Sequence, residues 1–307
     1  MAKTLLARGA RGELVRRTQL ALIERGLNPQ GVDGKFGKGT ESAVKAFQQP
    51  SAFDPTGAID ASTWNALLNA PVPNTLERAL QLTAAFEGHG FTLAQGNWDG
   101  AGITWGIIGF TLKHGELAKI ILQVFDENPA FVEQSFAANT EDLIEVLNSP
   151  KVVQMQFADN ISLGTSKIAL KEPWRSAFRA FGEIPEVQAL QLSLVEQDYW
   201  QPSAVTAAKF GLTTELGRSL TFDIHVQNGG IKPSARQAIE TALDETAVTT
   251  EQELRVIIAN AVADASASSF KEDVRSRKLA IATGTGQVHG ETFVLNNWGL
   301  DESAADA

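Results

Sequence analysis

The sequence predicts a mainly α-helical protein of two domains, the second of which also contains a short β-hairpin. Apolar residues recur with a helical period over most of the 307 residues. One short segment is instead divided by Gly96, Gly100 and Gly102, a spacing typical of a hairpin with tight turns. Two prolines in the segment 71–74 interrupt the helical pattern and predict a stiff linker there. We therefore expect a first domain over residues 1–70, a second over 75–300, and a disordered acidic tail over 301–307.

Three predicted helices make up the first domain, and a glycine-rich turn separates the first two. The first helix ends at Gly26, and Thr40 is placed to cap the second. The positions that define this pattern are glycines of the turn and apolar core residues: Gly31, Gly34, Gly37, Val44, Phe47, Trp64 and Leu67. The whole segment resembles the small three-helix peptidoglycan-binding domain attached to many cell-wall hydrolases. That resemblance implies Asp33, Phe36 and Thr40 as candidate contacts with the wall.

A predicted helix at the start of the second domain ends in a carboxylate. Asn74 and Glu77 form a capping-box pattern at its beginning, and Gly88 is expected to end it. Glu87 then lies in the last turn, at the negative end of the helix dipole and beside Phe86. Both surroundings are expected to raise its pKa, so that this carboxyl group holds a proton at neutral pH.

A second carboxylate, Asp99, belongs to the predicted hairpin. Its neighbours are Asn97 and two glycines, which leave it open to water. Glycoside hydrolysis needs one acid that protonates the leaving oxygen and one base that activates water. Thr104 follows the hairpin turn and is a candidate for holding that water. If the pair acts with inversion, we expect a separation between the carboxyl groups of roughly 6.5 to 9.5 Å.

The run from Asp99 to Phe110, preceded by a helix-end Glu, resembles the catalytic core of the bacterial chitosanases, members of the lysozyme superfamily. It is more similar still to the chitosanase-like muramidases of phage endolysins. The resemblance implies an α+β catalytic domain of lysozyme type with the hairpin at its cleft. It also implies that Glu87 is the general acid, Asp99 the general base and Thr104 the residue that positions water. The loop between acid and base is shorter here than in the chitosanases, which favours a different glycan.

Further substrate contacts are expected near the two carboxylates and on a later helix. His89 and Trp98 precede the run from Asp99 to Phe110, and Trp105 lies within it. By resemblance, the segment from 222 to 230 is a buried helix whose end approaches the sugar, which makes Asp223, His225 and Asn228 candidates. The alternative for each of these three is a buried polar side chain with protein partners alone.

Composition excludes several classes of protein. The sequence has no cysteine, its four histidines are far apart, and it has neither a His-Glu-x-x-His nor a Gly-x-Ser-x-Gly motif. We therefore expect no metal site, no cofactor and no serine hydrolase chemistry. The net charge is −10, yet residues 1–50 carry +5, which suggests contact with an anionic bacterial envelope. No basic stripe interleaved with aromatic residues indicates nucleic-acid binding, and no apolar run indicates stable membrane insertion or a signal peptide.

Together these features predict a monomeric endolysin whose partner is bacterial peptidoglycan and which cuts the glycan strand as an inverting N-acetylmuramidase. We expect it in the cytoplasm of the host bacterium before release, and at work in the periplasm or cell wall. Three alternatives remain: a lytic transglycosylase that uses Glu87 alone, a chitosanase, and a phage structural protein that binds the wall without catalysis.

Overall fold

Helices dominate the structure, as the sequence predicts. The computed structural model of the protein describes residues 2–50, 53–88 and 90–306, and of Glu87 it describes the backbone. The helices in this part of the chain are α1 (Glu13–Glu24), α2 (Lys38–Gln48), α3 (Ala61–Leu68), α4 (Thr75–Glu87), α5 (Glu116–Glu127), α6 (Pro129–Phe136), α7 (Thr140–Leu147), α8 (Lys151–Ile161), α9 (Trp174–Glu183), α10 (Pro185–Val195), α11 (Gln201–Phe210), α12 (Glu215–Asn228), α13 (Pro233–Glu245), α14 (Glu251–Asp264) and α15 (Lys271–Thr283).

The strands are short and form three small antiparallel sheets. They are β1 (Thr4–Leu6), β2 (Ile59–Asp60), β3 (Ala94–Gln95), β4 (Thr104–Trp105), β5 (Phe110–Thr111), β6 (Thr285–Val288) and β7 (Glu291–Val294). β1 pairs with β2, β6 pairs with β7, and β3, β4 and β5 form one sheet in that order. The predicted hairpin is therefore two strands of a three-stranded sheet.

The chain divides into two compact units, and the division differs from the predicted one. The terminal unit consists of residues 1–86 and 197–307, and the central unit consists of residues 87–196. The predicted linker at 71–74 is consequently not a boundary between these units. It is instead anchored on both sides, because the indole Nε1 of Trp64 donates to Pro71 O (2.8 Å) and Arg78 Nη1 donates to Pro73 O (2.7 Å).

In the terminal unit, the three predicted N-terminal helices are α1, α2 and α3. A buried glutamine, Gln19, organises the glycine-rich turn between α1 and α2: its amide accepts from Gly34 N (2.8 Å) and donates to Lys35 O (3.1 Å). The apolar core of this unit is continuous from the N-terminal segment into α12, α14 and α15. Val15, Trp64, Ile258 and Ile281, which come from both segments, are all fully buried in it.

The prediction of a disordered tail is wrong for residues 301–306. Ser303 O accepts from Glu215 N (2.8 Å), and Ala305 N donates to Thr213 O (2.9 Å). Asp306 closes the beginning of α4 by accepting from Thr75 N (2.9 Å). The small and acidic residues of this segment predict disorder, but its carboxylates bond to residues that are remote in sequence, namely Lys3, Thr75 and Arg255.

The central unit surrounds the β3–β4–β5 sheet with helices α5 to α10. Its core is aromatic: the rings of Trp105 and Phe181 lie 5.4 Å apart, and those of Phe136 and Phe178 lie 5.1 Å apart edge to face. These four side chains are buried and hold the sheet against α6 and α9. Among the described residues, no helix combines the length and apolarity that crossing a membrane requires.

Candidate active site

Helix α4 carries the predicted proton donor at its last position. The predicted capping box is present, since Asn74 Oδ1 accepts from Glu77 N and Glu77 Oε2 accepts from Asn74 N, each at 2.9 Å. The helix ends at Glu87, and Gly88 follows in the left-handed conformation with φ 68°. The backbone thus places Glu87 as predicted. Its side chain and the whole of His89 lie outside the described residues, so the carboxyl separation and the role of His89 stay predictions.

Asp99 lies on an exposed loop between β3 and β4. Its Oδ1 accepts a hydrogen bond from Ala101 N (2.9 Å), which fixes the direction of the carboxylate. Gly100 and Gly102 on its far side have φ values of 79° and 81°, so the turn that presents Asp99 needs residues without a Cβ. The carboxylate is open to water, as the sequence predicts.

Asn97 closes the loop that carries Asp99. Its Oδ1 accepts from Gly102 N, and its Nδ2 donates to Asp159 Oδ1, each at 2.8 Å. A second anchor is the bond from Asn97 N to Ser162 Oγ (2.9 Å). The Asp159 and Ser162 partners come from α8 and its end, and nothing in the local sequence pattern indicates this pairing.

We expect Asn97→Ala to lower kcat on the cleaved glycan by about 10-fold, because a released loop misplaces Asp99 by a fraction of an ångström. Steady-state kinetics measure the effect. Asn160→Ala is the matched control, since Asn160 is exposed on α8 and, within the described residues, its side chain makes no hydrogen bond, while its backbone oxygen accepts from Lys171 Nζ. Equal kcat values in Asn97→Ala and the control would contradict the anchoring role.

Thr104 and Trp105 occupy β4, the middle strand of the sheet, and have different surroundings. Thr104 pairs in register with Gln95 and Thr111 and keeps 8% of its surface exposed, which is compatible with its predicted contact with water. Trp105 has no exposed surface, and its Nε1 donates to Phe178 O (2.9 Å). The prediction that Trp105 contacts substrate is therefore wrong, because the indole packs the core of the central unit. Trp98, by contrast, is 56% exposed beside Asp99 and remains a candidate for stacking on a sugar.

Asp223 is the centre of a buried ion cluster in the terminal unit. Arg277 Nη2 donates to its Oδ1 (2.7 Å), Lys278 Nζ to its Oδ2 (2.5 Å) and Thr83 Oγ1 to its Oδ1 (2.9 Å). Burial by itself raises the pKa of the Asp223 carboxyl, but the charges of Arg277 and Lys278 outweigh it and hold the pKa below its usual value. With no exposed surface, Asp223 does not contact a sugar, so that prediction is wrong. Its bond to Thr83 instead holds α4 one turn before Glu87.

His225 and Asn228 lie on the last two turns of α12 and are half-buried. The Nε2 of His225 is 2.9 Å from Thr206 Oγ1, and burial lowers the pKa of the imidazole, which is then neutral at neutral pH. The Oδ1 of Asn228 is buried without a hydrogen-bond partner among the described residues. Substrate contact by these two residues stays a prediction.

Two of the three predicted wall contacts are wrong. Phe36 is 2% exposed and Thr40 is 1% exposed, so both belong to the core of the N-terminal helices. Asp33 is exposed and stays a candidate. The amide of Gln19 and the backbone N–H of Lys35 donate to its Oδ1 and lower its pKa, so it is anionic at neutral pH.

The described part of the chain contains no group of three or more His, Asp or Glu side chains arranged to hold a metal ion.

Comparison with known families finds two matches, one in the N-terminal helices and one that covers the candidate active site. A family model for a peptidoglycan binding domain matches residues 11–67. The model for glycosyl hydrolase family 46 matches residues 88–256, a range that begins directly after Glu87 and includes Asp99 and Thr104. No curated protein matches the chain in sequence.

Two solved chitosanase structures are similar to this chain, and the one with the higher TM-score shows a shared fold. A point mutant of a chitosanase from Bacillus subtilis MY002, complexed with six GlcN units, aligns with a TM-score of 0.51 at 16% identity, over 74% of this chain and 100% of that one. The chitosanase of Gynuella sunshinyii in complex with chitotetraose aligns with a TM-score of 0.49 at 17% identity, over 73% of this chain and 99% of that one.

Proposed function

The chain belongs to glycosyl hydrolase family 46, and from that membership we propose that it cleaves the glycan strand of bacterial peptidoglycan as an inverting N-acetylmuramidase. The observation that carries the proposal is the presence in one chain of a peptidoglycan-binding segment and a glycosidase segment. A wall-binding segment concentrates the enzyme on the polymer that it cuts, because the second contact becomes intramolecular.

In the proposed mechanism, Glu87 protonates the glycosidic oxygen while Asp99 takes a proton from water on the opposite face of the sugar. The exposure of Asp99 and its fixed Oδ1 support the role of base, since that carboxylate meets water in a defined direction. Thr104 presents its hydroxyl from the strand that follows the loop and orients the attacking water.

The proposed setting is that of an endolysin. The protein acts as a monomer, collects in the cytoplasm of the host bacterium, and reaches the wall when another factor opens the membrane. The +5 charge of residues 1–50 supports attraction to an anionic envelope.

The test is digestion of purified peptidoglycan, followed by borohydride reduction and mass spectrometry of the fragments. We expect reduced muramic acid at the new ends. Anhydro ends would identify a lytic transglycosylase, and reduced glucosamine ends would move the cut to the other glycosidic bond. An uncut wall that still retains the protein in a pull-down would identify a binding protein without catalysis.

Chitosan is the second candidate substrate, and the charge of the central unit favours it. Residues 87–196 contain 14 acids and 7 bases, a net charge of −7, which attracts a polycation. Parallel digestion of chitosan distinguishes the two candidates. Cleavage of chitosan together with an intact wall would replace the muramidase proposal with a chitosanase.

A further inference from the structure

Helices α1 and α4 are joined by two caps. A side chain of α4 accepts from the first backbone N–H groups of α1, and a side chain just before α1 donates to a carbonyl in the last turn of α4. Helix α1 begins after Gly12, which has no side chain to satisfy the first backbone N–H groups of the helix. Gln81 of α4 supplies the missing acceptor, because its Oε1 receives hydrogen bonds from Glu13 N (2.5 Å) and Leu14 N (3.3 Å). Gly12 has a φ of 121°, which favours glycine, and a Cβ there would lie 2.3 Å from that oxygen, so a side chain at this position would displace the Gln81 amide.

The reverse cap comes from Arg11. Its Nη2 donates to Ala85 O (3.0 Å), a carbonyl in the last turn of α4 and two residues before Glu87. The guanidinium group also forms an ion pair with Glu291 and lies 5.0 Å from the ring centroid of Phe293. We call the set Arg11, Gly12, Gln81 and Ala85 the α1–α4 joint.

A second line of contacts runs from Arg11 to the end of α4 through aromatic rings. Phe293, under the guanidinium group, packs on Phe86 with ring centroids 4.6 Å apart. Phe86 is the residue directly before Glu87. Trp298 stacks on Phe293 (ring centroids 5.4 Å apart) and donates from Nε1 to Arg11 O (3.3 Å). Arg11 is therefore tied to the last turn of α4 by a hydrogen bond and by packing.

From this geometry we infer that Arg11, a residue of the N-terminal segment, is a positioning residue for the proton donor. The inference rests on the proposed function of Glu87. The N-terminal segment then has two roles: it binds the wall, and it fixes the end of the helix that delivers the proton. Catalysis on short soluble glycans, which need no wall binding, consequently depends on Arg11.

The experiment compares full-length Arg11→Met with Arg8→Met on soluble glycan oligomers of whichever polymer the wild type cleaves. Arg8 lies in the same segment and carries the same charge, but its side chain is 56% exposed and its ion-pair partner among the described residues is Glu41 (3.8 Å). We expect Arg11→Met to lower kcat by about 10-fold with KM and wall pull-down unchanged, because a misplaced donor loses rate and not affinity. Arg8→Met should keep wild-type kcat, and Arg11→Lys, which retains the charge with a different geometry, should fall between.

Two further measurements separate positioning from loss of fold. In the first, the kcat values of the wild type and Arg11→Met are compared at two temperatures well below both unfolding midpoints. A variant that is only destabilised is folded at these temperatures, so its kcat would return to the wild-type value. Gln81→Met breaks the same joint from α4 and should reproduce the loss of kcat. Wild-type kcat in Arg11→Met and Gln81→Met, or a loss that disappears on cooling, would overturn the inference. A wild type inactive on both wall and chitosan oligomers would instead remove the proposed function, and the positioning role with it.

Discussion

Glu87→Gln is expected to lower kcat on the cleaved glycan by roughly 10³-fold, the contribution typical of a positioned general acid. The amide has the size of the carboxyl group but no proton to give to the leaving oxygen. Since Glu87 ends α4 and the capping box holds the other end of the helix, the fold and the wall pull-down should be unaffected. Kinetics on soluble oligomers measure the loss of kcat, and a thermal unfolding curve checks that the fold is unchanged.

The control for that variant is Glu186→Gln, which removes an exposed acid from the first turn of α10. It should retain wild-type activity.

Asp99→Asn should lower kcat by less than Glu87→Gln if another group in the exposed loop region accepts the proton from water. Near-normal turnover in Glu87→Gln would remove Glu87 from the role of acid.

Asp223→Ala is expected to reduce the free energy of unfolding by about 3–5 kcal/mol, because it removes the buried carboxylate that Arg277 and Lys278 both pair with. All three side chains are almost fully buried, so water cannot replace the lost carboxylate. Urea unfolding monitored by circular dichroism gives the difference. Asp244→Asn, an exposed acid on α13, should change stability by no more than about 0.5 kcal/mol.

The same cluster sets a direction for the pH dependence of stability. The pKa of Asp223 is lower in the folded protein than in the unfolded chain. Its contribution is therefore fully present above the unfolded pKa of about 3.9 and is lost as the pH falls below that value toward the folded pKa. The wild type should lose stability more steeply than Asp223→Ala over this acid range. Parallel curves for the two proteins would contradict the stabilising role of the ion cluster.

Helices and turns can be predicted here from residues that are close in sequence. The capping box of Asn74 and Glu77, the stop at Gly88 and the glycine turn around Asp99 are formed by residues close in sequence, and each is confirmed. The family resemblance was carried by the same local run.

Contacts between remote segments were not predictable in this way. The position of Trp105 in the catalytic run predicts a sugar contact, and only the fold shows that α9 covers the side chain. The family resemblance implies Asp223 as a substrate ligand, but two cations 54 and 55 residues later neutralise it. A polar residue in an apolar helix indicates that a partner exists, but not whether the partner is protein or substrate.

The division of the chain into residues 1–86 and 197–307 on one side and 87–196 on the other affects the order of events during synthesis. The central unit is continuous, so a ribosome delivers all of it before the second part of the terminal unit exists. The terminal unit must wait for pairings such as Ala7 N with Asn297 O, which join residues nearly the whole chain apart. Closing loops of that length is slow, so the helix that ends in Glu87 acquires its final support only at the last stage of folding.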